Sequence, residues 1–163
     1  MLSISEIPFD PFYIAVAVVG LFVVIHLIYS AQKMPYKRAP YLLTKSEHHF
    51  YKALKQAIPD NTHICMKVRM GDLLICSDRE WKAGWGPKIS AKHVDFVLIN
   101  AHTTEIICAI ELDDSTHRTN RNRIDRDKFV NKAFETAGVN LIRINTQRHY
   151  DVVELKETIS VTV

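Results

Sequence analysis

The chain has few residues that could cross-link it or leave it loose. Its 163 residues include only three cysteines, Cys65, Cys76 and Cys108, no two of them close together. That excludes a disulfide-framed module and a zinc ribbon, which need nearby Cys or Cys/His pairs. Five glycines and six prolines exclude a collagen-like rod and a Pro/Gly linker protein, and 47% hydrophobic residues exclude a disordered tail. Lys and Arg are missing from residues 1–30, which hold Glu6 and Asp10. The other 133 residues therefore carry 21 basic against 16 acidic side chains, a net of +5 inside a formal total of +3.

The uncharged start is filled by FYIAVAVVGLFVVIHLIY, Phe12–Tyr29, eighteen residues without a formal charge. As a helix the run spans about 27 Å, close to the hydrocarbon thickness of a bilayer. Pro11 suits a first helical turn, and Tyr13 and Tyr29 sit near the two ends, where amphipathic rings favour the interface. A core helix of this length would carry a polar face, and a signal peptide would begin with basic residues and end at a small-residue cleavage site. The run has neither. Lys33, Lys37 and Arg38 follow it, which orients the C-terminal part to the cytosol. Unpaired cysteines agree with a reducing compartment, and His26 lies near the cytoplasmic end, within reach of the interface. Residues 31–43, with Pro35 and Pro40, read as a short stiff linker. The chain thus divides into a transmembrane anchor (1–30), a linker (31–43) and one α/β domain (44–163).

Within that domain Thr44-Lys-Ser-Glu47 is a capping box, and Phe50, Leu54, Ala57 and Ile58 recur at helical spacing until Pro59. His63–Cys76 alternates loosely and predicts one bent strand, or a hairpin broken at Gly71-Asp72. Residues 77–91 read as a polar loop containing Trp81 and Trp85. His93–Asn100 and Ile106–Leu112 are apolar strands joined by a turn near residues 101–104. A helix over Ile124–Ala137 ends at Gly138, Asn140–Asn145 is a further strand, and Asp151-x-x-Glu154 opens a last helix. The expected order is helix, three strands, helix, strand, helix.

Asp95 sits inside the apolar VDFVLI, and Glu111 and Asp113 end the next strand in AIELDD. A buried carboxylate needs a cation or a proton. If the two strands pair, three carboxylates converge, as a hard divalent ion such as Mg2+ or Mn2+ requires. Glu111 and Asp113, two apart, face the same side. The alternative is that these are ordinary strand-end acids paired with Arg143 or Lys92.

The pieces LLTKSEHHFYKAL (Leu42–Leu54), KHVDFVLI (Lys92–Ile99), AIELDDSTH (Ala109–His117) and RIDRDKFVNKAFETAGVNLIRI (Arg123–Ile144), in this order and spacing, resemble the DUF2726 family. That family is similar to the very-short-patch-repair endonucleases within the PD-(D/E)xK superfamily. The resemblance covers residues 40–158 and implies a restriction-endonuclease-like core behind the transmembrane helix. It implies that Asp95 is the central metal-binding aspartate and Glu111 the acid of the (D/E)xK half-motif. Glu47 becomes the acid of the first helix near the metal, and His117 a histidine beside the reacting water. The lysine of the half-motif is replaced by Asp113, an additional metal ligand, and Lys92 and Lys128 are the candidates for a displaced lysine. The residue before Asp95 is Val94, where the superfamily motif has Pro.

The implied activity is metal-dependent hydrolysis of phosphodiester bonds in nucleic acid, DNA in the first instance, at the bacterial inner membrane. A catalytically inactive nucleic-acid-binding module and a membrane-bound scaffold are the alternatives on the same fold. HRTNRNRIDRDK (His117–Lys128) offers Arg118, Arg121, Arg123, Arg126 and Lys128 to phosphates. Asp125 and Asp127 suit the positive start of a helix, and a solvated charged loop is the alternative reading. Trp81 and Trp85 either stack on bases or anchor their loop.

Overall fold

The computed structural model describes residues 10–31, 34–113 and 121–160, and of residues 121–123 the backbone only. The chain falls into two compact units divided between Pro40 and Tyr41. The first contains helix α1 (Pro11–Ala31), 21 residues, exposed along its described length. It is long and apolar enough to cross a membrane. Asp10 caps it by accepting the Phe12 amide at 2.9 Å.

The second unit is a mixed α/β domain. Helix α2 (Lys45–Ala57) starts at the Thr44 capping box. The Thr44 side chain accepts the Glu47 amide at 3.3 Å, and Glu47 Oε2 accepts the Thr44 amide at 3.0 Å. Strand β1 (Thr62–Arg69) follows, then three short helices, α3 (Met70–Leu73), α4 (Asp78–Lys82) and α5 (Trp85–Ser90). Strands β2 (His93–Asn100) and β3 (Ile106–Asp113) lead to helix α6 (Arg121–Ala137), strand β4 (Leu141–Asn145) and helix α7 (Val152–Ser160). Two expectations are corrected here. The strand predicted through Cys76 ends at Arg69, because Met70 turns inward as a fully buried side chain and starts a helical turn. The loop predicted over 77–91 holds two helices, the first capped by the box Ser77/Glu80.

The four strands lie in the order β1-β2-β3-β4, the first two pairings antiparallel and the last parallel. The parallel pair requires the α6 crossover. Both faces of the sheet are covered. On one, Phe50 and Leu54 of α2 and Leu155 and Ile159 of α7 pack on Phe96, Leu98, Cys108 and Ile110. The Phe50 ring lies 5.4 Å from Phe96 and 5.1 Å from Tyr150. On the other, Val130 and Phe134 of α6 pack with Met70, Ile89, Val97 and Ala109. Helix α6 ends where Gly138 adopts φ +69°, with Val139 donating to the Phe134 carbonyl at 3.1 Å, the bond of a left-handed cap.

The alternation of faces breaks in the middle of β1 and β2. In β1, Ile64 and Met66 pack on the α2/α7 side but Val68 on the α6 side; in β2, Leu98 and Phe96 pack with the former and Val94 with the latter. The residue between Met66 and Val68 is Lys67, with φ +56°. A left-handed residue turns the strand over, costing an L-residue about 1–2 kcal/mol. The register around it is unshifted, Met66 pairing with Phe96 and Val68 with Val94. Lys67 therefore stands opposite Asp95.

Candidate functional site

The register builds the site. The row Met66, Phe96, Ile110, Ile142 is apolar and closes the core. The next row, one residue from each strand, is Lys67, Asp95, Glu111, Arg143, with Glu111 and Arg143 directly paired. Across the sheet the signs run plus, minus, minus, plus. These four, with Glu47, Asp113, Arg126 and Asp127, line a pocket of about 860 Å³.

The outer cations are engaged. Lys67 Nζ donates to Asp95 Oδ1 at 2.8 Å and lies 2.9 Å from Glu47 Oε1. Burial pulls the Lys67 ammonium down in pKa, but the hydrogen bonds and charges of Asp95 and Glu47 outweigh it and hold the group above its ordinary value. Arg143 Nη1 donates to Asp113 Oδ1 at 2.7 Å, and its Nε donates to Asn131. Its Nη2 is buried, makes no hydrogen bond among the described residues, and lies 3.5 Å from Asp127 Oδ1.

The two central carboxylates differ. Asp95 is engaged at both oxygens, its Oδ2 accepting the Leu112 amide at 2.9 Å while Oδ1 accepts from Lys67, one bond on each. No hydrogen bond or ion pair compensates Glu111 among the described residues. Burial pushes its pKa up to about 7; the adjacent Asp95 charge and, less, Asp113 add to this, while Arg126 and Arg143 oppose it. Two like charges side by side in a half-buried row leave one carboxyl poised between proton and cation.

Each residue singled out in the sequence can now be placed. Glu47, Asp95, Glu111 and Asp113 all line the pocket, as does Arg126. Asp113 faces Arg143, and Glu47 is divided between the α2 cap and Lys67. His117 and Arg118 lie outside the described residues, as do the side chains of Arg121 and Arg123. Lys128 is exposed and does not line the pocket. Lys92 lines it, but its ammonium donates to the Lys88 carbonyl at 2.9 Å and sits over the Phe129 ring. The residue that sequence reasoning missed is Lys67. Its only signal is arithmetic, a position that antiparallel pairing sets opposite Asp95.

Residues 39–162 match the profile of a family described as a protein of unknown function, DUF2726. The chain belongs to this family. The match takes in the whole pocket, from Glu47 to Arg143. No curated protein and no solved structure matches the chain.

The residues were tested for a divalent cation. Among the described residues no group of three or more His, Cys, Asp and Glu is arranged to hold a metal ion. There is instead a pair, Asp95 and Glu111, and Mg2+ asks for one or two carboxylates beside water and substrate phosphate. Glu111, raised to about 7 by burial and a like charge, is the group a cation would relieve. A two-carboxylate site fits; a three-acid site including Asp113 is opposed by the Arg143 bond.

Proposed function

We propose that this DUF2726 domain is a metal-dependent nuclease of the PD-(D/E)xK type, held at a membrane by α1 with its C-terminal part in the cytosol. The observation that carries the reading is the row Lys67, Asp95, Glu111, Arg143 opening into one pocket. Asp95 and Glu111 would hold Mg2+ or Mn2+, which when bound polarises a phosphate oxygen and acidifies an attacking water. Lys67, clamped between Glu47 and Asp95, would supply a positive charge beside Asp95 in place of the half-motif lysine that Asp113 replaces. Arg126 binds phosphate oxygens through charge-assisted hydrogen bonds, and Arg143 adds positive charge to the pocket wall. His117 orients the water in this reading, and Arg118, Arg121 and Arg123 extend the phosphate contacts.

The full chain, purified in detergent, is incubated with plasmid and with single-stranded DNA, in Mg2+ or Mn2+ and in EDTA. Cleavage with metal, absent in EDTA and abolished by Glu111→Gln and Asp95→Asn, is the expected result. Cleavage that survives both substitutions removes the pocket from the reaction. A second reading, an inactive nucleic-acid-binding module, is favoured by the bonds already held by both oxygens of Asp95 and by the Asp113–Arg143 bond. It expects binding without cleavage in any metal.

A further inference from the structure

A second groove, about 410 Å³, lies between the α4–α5 segment and α6. Trp85, Ile75, Ile89 and Phe129 line it, with Lys132 and Glu80 at its polar edge. It adjoins the reactive pocket through one contact: Lys92, which lines the pocket, holds its ammonium 4.7 Å from the centroid of the Phe129 ring, which lines the groove. A second ammonium is placed alike, Lys88 Nζ lying 4.2 Å from the centroid of Trp85. The two tryptophans of the segment differ. Trp81 is wedged against Gly86, where any Cβ would collide with its ring, so it anchors the turn between the helices. Both rings are half exposed, Trp81 at 46% and Trp85 at 51%, but only Trp85 lines the groove, with Ile75, 97% exposed. Among the described residues the one carboxylate lining the groove, Glu80, is held by the Ser77 amide and hydroxyl at 3.0 and 2.9 Å, and Lys132 is paired with Glu135 at 3.0 Å.

Aromatic rings each carrying an ammonium on one face, next to a pocket lined by Arg126, suit flat apolar bases on the other face and phosphates beside them. A duplex keeps its base faces stacked inside and has none to give to Trp85. Resting on the nuclease reading, we propose that the groove binds unpaired nucleotides leading into the reactive pocket, so that the substrate of this site is single-stranded nucleic acid. Trp85 takes a base, and Lys88 and Lys92 neutralise the phosphates beside it.

The test is fluorescence anisotropy of the full chain in detergent and EDTA, where cleavage plays no part. The probes are a labelled single-stranded oligonucleotide and the same strand annealed to its complement. The single strand binds more tightly than the duplex, and Trp85→Ala weakens the single strand about 5–100-fold while leaving the duplex unchanged. Trp85→Phe, which keeps a ring, recovers most of the loss. Duplex bound as tightly as single strand, no binding of either, or a Trp85→Ala chain with undiminished single-strand affinity each overturns the proposal. Single strand bound but never cut in any metal sinks the nuclease reading and leaves the groove; duplex cut without any single-strand preference does the reverse.

Discussion

Glu111 and Lys67 concentrate the electrostatic tension of the domain. The Glu111 carboxyl, pushed from its usual 4.5 to about 7, keeps in the folded chain a proton that the unfolded chain has released. Its contribution to stability is therefore complete below about pH 4.5 and is lost as pH rises through 7. With metal chelated, Glu111→Gln should exceed the wild type by about 3 kcal/mol above neutrality, from about 1.4 kcal/mol per pH unit over the rise from 4.5 to about 7, and by nothing in acid. Melting temperatures of the two proteins across pH measure this, and a gap that does not depend on pH refutes it. Lys67 combines a charge with a left-handed backbone. Lys67→Met leaves Glu47 and Asp95 without their shared cation and should cost about 1–3 kcal/mol, toward the lower figure because the pair is not fully buried. Lys67→Gly should be about 1 kcal/mol more stable than Lys67→Ala, the reverse of the usual strand order, because only glycine accepts this φ freely. Denaturant melts that rank alanine above glycine would show that the backbone here is unstrained.

Helix α2 both covers the core and orients the site. Thr44→Ala removes the acceptor for the Glu47 amide, and capping losses of this kind cost about 1 kcal/mol. Because Glu47 also holds Lys67, the same change should lower cleavage as well as melting temperature; a melt shift with unchanged cleavage would confine Thr44 to the helix end. The elements most legible in the sequence are those with a strong periodic face or an apolar run. The Thr44 box, the buried strand His93–Asn100 and the Gly138 stop appear in the structure as the residues predict. Helices α3 to α5 were obscured because Gly71, Gly84 and Gly86-Pro87 read as breakers and four to six residues are too few for a helical period. One signal was there: Ser77-Asp-Arg-Glu80 is the same box as Thr44–Glu47. For the site, strand-end acids marked the carboxylates, but a lysine in an alternating strand looks like any solvent-facing residue. Only pairing partners, which no local pattern supplies, show that Lys67 meets Asp95.

For the whole molecule, the reading joins an apolar helix to a domain whose pocket takes an anionic polymer. The chain should stay with membranes through a carbonate wash, and a reporter fused to its C-terminus should remain unexported. Leu21→Asp places a charge at the middle of α1, a cost of about 2.5–3.5 kcal/mol in the bilayer, and should move a measurable share of the chain to the soluble fraction. A C-terminal reporter that is exported would invert the topology. The charge row also sets a timetable for the ribosome. It draws one residue from each strand, and 76 positions separate Lys67 from Arg143. At about 5–20 residues per second, roughly 4–15 s pass between the synthesis of its first member and its last. Throughout that interval α1 already exists and the pocket does not, so on the proposed reading the nascent chain can be delivered to a membrane before its pocket is complete.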